Sequence, residues 1–271
     1  MHLINRIFDL ISMNQTYGQR YATIALLSLI SAAVFLVIFK KMSDQTAIKK
    51  EKGKILGHLF QIRLYKDQLL MILSSMGGIF KHNLLYIRYT LPPLVIIIIP
   101  LLIITIQINQ RCGYAPLQKG NEFIISARIN QPKALDSIQC RPTAGIELMT
   151  PVLRIPDKNT AYWRAKLIPS AESNEAVAFY TLKNKLGQKS IASTPPPRRF
   201  LPKSVQSNGL NAFLYPAEGF LPDNTALKEI TVDYKRASYS FLWISMDAIV
   251  LYFILTLLFA LIIKPLFRVV I

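Results

Sequence analysis

Three long runs of apolar residues constrain this chain more than any other feature of its sequence. They cover residues 21–39, 91–108 and 237–263, and a single charged side chain, Asp247, interrupts the third run. An α-helix of roughly 20 apolar residues crosses the hydrocarbon core of a bilayer, which is about 30 Å thick. A soluble domain instead spreads its apolar residues with the period of helices or strands. The runs therefore predict an integral membrane protein with three transmembrane helices.

A cleaved signal peptide is the alternative interpretation of the first run. Such a peptide has a shorter apolar core and ends in small residues at its cleavage site. Here Ala32 and Ala33 lie in the middle of the run, and Lys40 and Lys41 follow it. This arrangement favours an uncleaved span.

The flanking charges predict how the helices cross the membrane. Residues 40–90 contain ten basic and three acidic side chains, and the positive-inside rule assigns such a segment to the cytoplasm. The tail 264–271 is then also cytoplasmic, whereas residues 1–20, predicted as an interfacial helix, and residues 109–236 lie outside. We therefore predict a multi-pass protein of the cell inner membrane. The net charge of +17 indicates contact with anionic lipid at the cytoplasmic face rather than with nucleic acid.

Residues 40–90 predict a cytoplasmic amphipathic helical hairpin. The first helix, 45–65, has apolar residues with 3–4 spacing, and Asp67 is positioned to cap the second helix. One functional interpretation is a mobile element that meets lipid headgroups or an incoming partner, and the simpler alternative is a solvated basic face held against anionic lipid. The residues involved are Lys49, Lys50, Lys52, Lys54 and Arg63, and the apolar face of the second helix comprises Leu69, Ile72, Leu73, Met76, Phe80, Leu84 and Ile87.

The segment 109–236 changes in character and predicts an extracytoplasmic, all-β, sandwich-like domain. Short runs rich in β-formers alternate with clusters of Pro, Gly, Asn and Ser, which is typical of short strands joined by turns. Trp163 is the expected core aromatic residue. The two cysteines of the chain, Cys112 and Cys140, both fall in this segment. An oxidising compartment permits a disulfide between them, and two unpaired thiols are the alternative.

The sequence contains no recognisable catalytic or metal-binding pattern. It lacks the nucleophile-elbow, zinc-protease and complete phosphate-loop motifs, and two cysteines cannot form a zinc ribbon. The three histidines, His2, His58 and His82, are scattered. We therefore expect a protein that is not an enzyme and that has no cofactor and no metal.

Two polar residues within the runs are candidate functional groups. Asp247 falls about one-third of the way into the third run, where an ionisable side chain costs roughly 3 kcal/mol unless it faces protein or water. It predicts the polar lining of a groove or a proton-linked site, or else a hydrogen bond that ties the third span to another span. Gln107, near the outer end of the second run, has the same two interpretations.

The layout resembles the three-span core of the YidC/Oxa-type membrane insertase superfamily, including its archaeal members and the insertase subunit of the endoplasmic reticulum membrane complex. The resemblance rests on the amphipathic run Leu69–Ile87 that leads into Leu91-Pro-Pro-Leu-Val-Ile-Ile-Ile-Ile-Pro, and on Ile263-Lys-Pro-Leu-Phe at the end of the third run. The chain also looks like a bacterial membrane-protein family with the same spans and a periplasmic β domain. The insertase resemblance implies a polar groove and a hairpin that captures client segments. Bacterial insertases carry a basic residue in the groove, for which Arg88 is the nearest candidate here.

Two functions of different classes follow from the sequence. The first is an insertase-like protein, or membrane-protein chaperone, whose clients are other membrane proteins. The alternative is a structural or interaction subunit of a cell-envelope complex that binds a partner protein through its outside β domain.

Overall fold

The computed structural model describes residues 8–9, 16–130, 132–168, 176–180, 185–192, 200, 202–206, 221, 225–267 and 269. The chain divides into two compact units, residues 1–24 with 106–251, and residues 25–105 with 252–271. Most of the predicted interfacial helix within residues 1–20 lies outside the described residues.

Five α-helices and eleven strands are present in the described part of the chain. The helices are α1 (Tyr17–Met42), α2 (Gln45–Leu64), α3 (Leu69–Cys112), α4 (Pro132–Leu135) and α5 (Ala248–Phe267). The strands are β1 (Glu122–Ile129), β2 (Gln139–Pro142), β3 (Ile146–Leu148), β4 (Leu153–Ile155), β5 (Thr160–Leu167), β6 (Ala176–Tyr180), β7 (Lys185–Ser190), β8 (Lys203–Val205), β9 (Leu227–Val232), β10 (Ser238–Phe241) and β11 (Ile244–Asp247).

Three of these helices, α1, α3 and α5, are long and apolar enough to cross a membrane. They correspond to the three apolar runs of the sequence. The 44 residues of α3 extend over about 66 Å at 1.5 Å per residue, which is about twice the thickness of the hydrocarbon core. The second predicted hairpin helix and the second predicted span are therefore parts of one helix. Pro92 and Pro93 lie inside it without ending it, because proline still has a φ angle close to the helical value.

The third helix begins later than the sequence predicts. Residues 238–247, predicted as the start of the third span, form the antiparallel hairpin of β10 and β11, in which Ser238 pairs with Asp247. In β10, serine and aromatic side chains alternate with the two-residue period of a strand. Asp247 is consequently the exposed last residue of β11, directly before α5, and is not buried within an apolar helix. Tyr239 of β10 is fully buried.

Antiparallel sheets make up the region between α3 and α5. One sheet has the strand order β3-β5-β1-β9-β8, with β4 also paired to β5, and a second has the order β2-β6-β7. Phe123, Ile125 and Ala127 of β1 alternate with exposed or half-exposed residues, and they join residues of both sheets in one apolar core. Trp163 lies in this core, 5.5 Å from the ring of Phe179. The prediction of Trp163 as a core aromatic residue is confirmed.

Within the unit of residues 25–105 and 252–271, small polar residues lie between α1 and α5. The hydroxyl of Ser28 donates to the carbonyl of Tyr252 at 3.3 Å, and Ser31 donates to the carbonyl of Leu27 one turn earlier. Thr256 likewise donates to the carbonyl of Tyr252. Each of these three hydroxyls is therefore satisfied by a backbone carbonyl, as an apolar environment requires.

The turn between β10 and β11 has an unusual backbone. Its two central residues, Leu242 and Trp243, have φ angles of 48° and 68°. Two-residue hairpin turns of this kind strongly favour Asn-Gly or Asp-Gly, because both positions are left-handed. A large side chain there costs roughly 1–2 kcal/mol per residue.

We expect Leu242→Asn to stabilise the protein and Leu242→Ile to destabilise it. Asparagine tolerates the left-handed region, whereas a β-branched residue does not, so each change should amount to about 1 kcal/mol. Thermal unfolding of the purified protein in detergent measures both variants at the same position. A lower melting temperature for Leu242→Asn than for wild type would contradict the prediction.

Candidate functional site

A buried arginine lies in the last turn of α3. Arg111 is 0% exposed, and its guanidinium contacts the carboxylate of Asp9 at 2.6 Å and the side-chain oxygen of Gln107. The ring of Phe8 lies 5.7 Å from the guanidinium carbon. A cation in the last turn of a helix is stabilised by the helix dipole, and the carboxylate compensates for its loss of water.

Two further arginines fasten neighbouring segments. Arg20, in the first turns of α1 and buried, donates to the carbonyl of Tyr114 at 3.0 Å and lies over the ring of Phe200. Arg236 donates to the side-chain oxygen of Asn109 at 3.0 Å and stacks on Tyr114. These contacts join the start of α1 to Tyr114, which precedes β1. They also join the end of α3 to Arg236, which follows β9.

Tyr239 of β10 completes this set of contacts. Its hydroxyl donates to the carbonyl of Cys112 at 2.7 Å, and its ring meets Tyr21 edge-on at 5.0 Å. The Tyr21 hydroxyl accepts from the amide of Ser240 at 2.6 Å. We call these residues the helix-end junction, which comprises Asp9, Arg20, Tyr21, Gln107, Arg111, Cys112, Tyr114, Arg236 and Tyr239.

The three predicted groove residues have different surroundings in the structure. Gln107 is buried in the helix-end junction, where its side-chain oxygen accepts a hydrogen bond from Arg111. Arg111 lies just after the end of the second apolar run. Asp247 is exposed before α5, and Arg88 is exposed on α3. Asp247 therefore does not line a groove from within the third span, because that span begins only after it.

The two cysteines are buried free thiols in this structure. Cys112 lies in the helix-end junction, and Cys140 belongs to the apolar core of the β region. Burial raises the pKa of the Cys140 thiol to about 12, so the thiolate needed for disulfide exchange is scarce at neutral pH. Of the two alternatives left open by the sequence, the structure has the pair of thiols.

Polar residues of α2 and α3 contact each other across the hairpin, and Glu51 and Ser75 are buried there. The carboxylate of Glu51 contacts Nδ1 of His82 at 2.5 Å and Nζ of Lys54 at 3.1 Å. The rings of His58 and His82 stack with centroids 5.6 Å apart. Gln61 accepts a hydrogen bond from Ser75 across the hairpin at 3.2 Å.

Gly78 of α3 lies against the His58 ring of α2. A Cβ atom at Gly78 would come within 2.5 Å of the His58 ring. The face of α3 that meets α2 is thus formed by Ser75, Gly78 and His82. We call these residues, together with Glu51, His58 and Gln61, the polar seam.

Many apolar side chains of the hairpin are exposed on the side away from the polar seam, whereas Ile48 of α2 is fully buried. At 100° per residue, the predicted apolar face of α3 lies on the side of the helix opposite Ser75, Gly78 and His82. Phe80 is 73% exposed, and the rest of this face, apart from half-buried Ile72, is exposed with it. On α2, Leu56, Leu59 and Phe60 are also exposed. We call the exposed residues of α3 the hairpin stripe: Leu69, Leu73, Met76, Phe80, Leu84 and Ile87.

The ends of the hairpin differ from the prediction in detail. Helix α3 begins at Leu69, so Gln68 rather than Asp67 precedes it. The capping carboxylate is Asp44, which accepts from the amides of Thr46 and Ala47 at the start of α2. The predicted basic residues Lys49, Lys50, Lys52, Lys54 and Arg63 are all exposed on α2.

The arrangement of both clusters suits holding helices together. Among the described residues, no group of three or more His, Cys, Asp or Glu side chains could hold a metal ion. The sequence did not predict Arg111 and Glu51 as site residues, and it did not predict the burial of Tyr239. A basic residue three positions after an apolar run, and an acid among lysines on an amphipathic helix, were the available signals.

Comparisons with known proteins add no relative. No protein-family model, no curated protein and no solved structure matches the chain. The functional argument therefore rests on the residues described above.

We expect Asp9→Ala to lower the free energy of unfolding by about 2–3 kcal/mol, because it removes a carboxylate partner from a buried guanidinium. The matched control is Asp136→Ala, at an exposed position of the β region, which should change stability by less than about 0.5 kcal/mol. Thermal unfolding in detergent distinguishes them. Equal shifts for the two variants would contradict the role assigned to Asp9.

The polar seam should open as the pH falls. The hydrogen bond from His82 holds the pKa of Glu51 below its usual value of 4.5. A carboxylate with a lowered pKa stabilises the folded state above the pKa of the unfolded chain, and this contribution is lost as pH falls through the folded value. Spin labels at Lys52 and Lys81 should therefore report a longer distance well below pH 4.5 than at neutral pH.

Glu51→Gln tests that assignment. The variant should remove this acid-induced change, whereas Asp67→Asn, in the exposed turn, should leave it intact. An acid response of the same size in Glu51→Gln would show that another group opens the hairpin.

Proposed function

We propose that the protein is an insertase-like chaperone of the cell inner membrane that binds apolar segments of other membrane proteins without catalysing a chemical reaction. In this proposal the hairpin is cytoplasmic, as the charge of residues 40–90 favours, and the sheets are extracytoplasmic and sandwich-like. The N-terminus then lies outside and the C-terminus inside.

The observation that carries the proposal is the inverted polarity of the hairpin. Two helices packed in water normally bury apolar side chains and expose polar ones. Here Glu51 and Ser75 of the polar seam are buried between the helices, and the hairpin stripe is exposed. A contiguous exposed apolar surface of this kind marks a place where protein or membrane binds.

The position of the stripe favours a client that is entering the membrane. The stripe lies on the same helix, α3, as the exposed apolar residues Leu91, Leu94, Ile98 and Leu102 of the span. An apolar segment bound to the stripe could therefore pass along one continuous helix toward the hydrocarbon core. The exposed lysines of α2 would hold the hairpin close to anionic lipid.

A photo-crosslinking residue at Phe80 or Leu84 tests the proposal. We expect it to capture many different newly made membrane proteins, whereas the same residue at Lys81, exposed but outside the stripe, captures few. Replacing both Phe80 and Leu84 with serine should weaken client binding tenfold or more, because each apolar side chain contributes about 1.5–3 kcal/mol when buried. Lys81→Ser is the control for the substitutions.

Three outcomes would overturn the chaperone proposal. Crosslinks to lipid alone would make the stripe a membrane anchor. Crosslinks to a second copy of the chain would make it an oligomer interface. A single stoichiometric partner would favour the alternative, a structural subunit of an envelope complex.

One observation favours that alternative. The β region has an open cavity of about 510 Å³ lined by both charge signs, including Glu122, Arg164, Asp233 and Lys235. Such a concave, polar surface suits a protein partner on the side of the membrane where the sheets lie. If Arg164→Glu with Lys235→Glu released a stoichiometric partner, the scaffold function would replace the chaperone function.

A further inference from the structure

The tip of the β10–β11 hairpin carries the most exposed large aromatic side chain in the described part of the chain. Trp243 is 97% exposed, and its neighbours Leu242 and Ile244 are 69% and 64% exposed. Three consecutive apolar side chains thus project from one turn. In water this exposure is unfavourable, because burial of each apolar side chain would lower the free energy.

The backbone of the turn strengthens the argument. Leu242 and Trp243 both have left-handed φ angles, which large side chains rarely adopt. Asparagine and glycine would form the same turn without strain. Strain that is retained at one position points to a role for the side chains beyond the turn itself.

The base of the hairpin is fixed against the ends of two apolar helices. Tyr239 donates to the carbonyl of Cys112 at the end of α3, and Ser240 exchanges hydrogen bonds with Tyr21 near the start of α1. Helix α5 begins at Ala248, five residues after Trp243. At about 3.4 Å per residue, Trp243 is within roughly 17 Å of extended chain from the start of that helix.

We infer that the tip, residues 242–244, inserts into the interfacial layer of the phospholipid bilayer on the side where the sheets lie. The indole of tryptophan suits this layer, because its ring prefers the acyl boundary and its N–H donates to phosphate or ester oxygens. Leu242 and Ile244 then contact the upper acyl chains on either side of Trp243. The inserted tip fixes the depth at which the helix-end junction sits relative to the lipid. This inference is independent of the chaperone function proposed for the hairpin of α2 and α3.

The chain provides its own probe for a test. It has two tryptophans, and the other, Trp163, is 3% exposed in the core of the sheets. The full-length Trp163→Phe variant therefore reports on Trp243 alone, and Trp243→Phe reports on Trp163 alone. Both are reconstituted into vesicles of phosphatidylcholine and phosphatidylglycerol, with and without bromine atoms on the upper acyl carbons.

The expected result is that brominated lipid removes most of the fluorescence of Trp243 and leaves that of Trp163 nearly unchanged. Acrylamide in the aqueous phase should quench Trp243 weakly. If Trp163→Phe does not fold, the difference in lipid quenching between wild type and Trp243→Phe provides the same readout.

Two results would overturn the inference. Strong quenching of Trp243 by acrylamide with no quenching by brominated lipid would place the tip in water. Protection from both quenchers would place it against protein, such as a second copy of the chain.

Discussion

The last carbonyls of an α-helix have no partner within the helix, and α3 ends at a place where its carbonyls are buried. The hydroxyl of Tyr239 supplies a donor to Cys112, and the guanidinium of Arg111 is directed back at the side chain and carbonyl of Gln107. The same two residues bring Tyr21 and Asp9 to this point. The position of the β10–β11 hairpin, and with it the start of α5, depends on these few polar contacts.

The sequence predicted much of the fold because its strongest patterns are local. Apolar runs located the three long helices, and the short runs rich in β-formers located the region of strands that includes β1. The predicted start of the third helix was wrong because residues 238–247, with a single charged side chain, lead directly into the apolar residues of α5. Only the alternation of serines with aromatic residues in β10 indicates a strand there. The mean hydropathy of the whole run does not reveal that alternation.

The candidate site was less predictable, because it depends on direction rather than composition. The spacing of Leu69, Leu73, Met76 and Phe80 correctly placed them on one face of a helix, but spacing does not tell which way a face points. No sequence pattern marks Glu51 and His58 as site residues. They belong to the polar seam only because Ser75, Gly78 and His82 of α3 lie opposite them. Arg111 was excluded because the apolar run stops at Ile108, whereas the helix does not.

The close contact at Gly78 determines which positions of this hairpin are free to vary in sequence. The seam places Glu51 and His58 seven residues apart on one helix, Ser75 and His82 seven apart on the other, and a residue without a Cβ between the latter two. A chain that inherits this hairpin has freedom in its apolar exterior, where any large side chain of similar character serves. Such a chain is constrained instead at the small and polar positions of the interior, so the spacing of those positions characterises this hairpin better than its apolar exterior does.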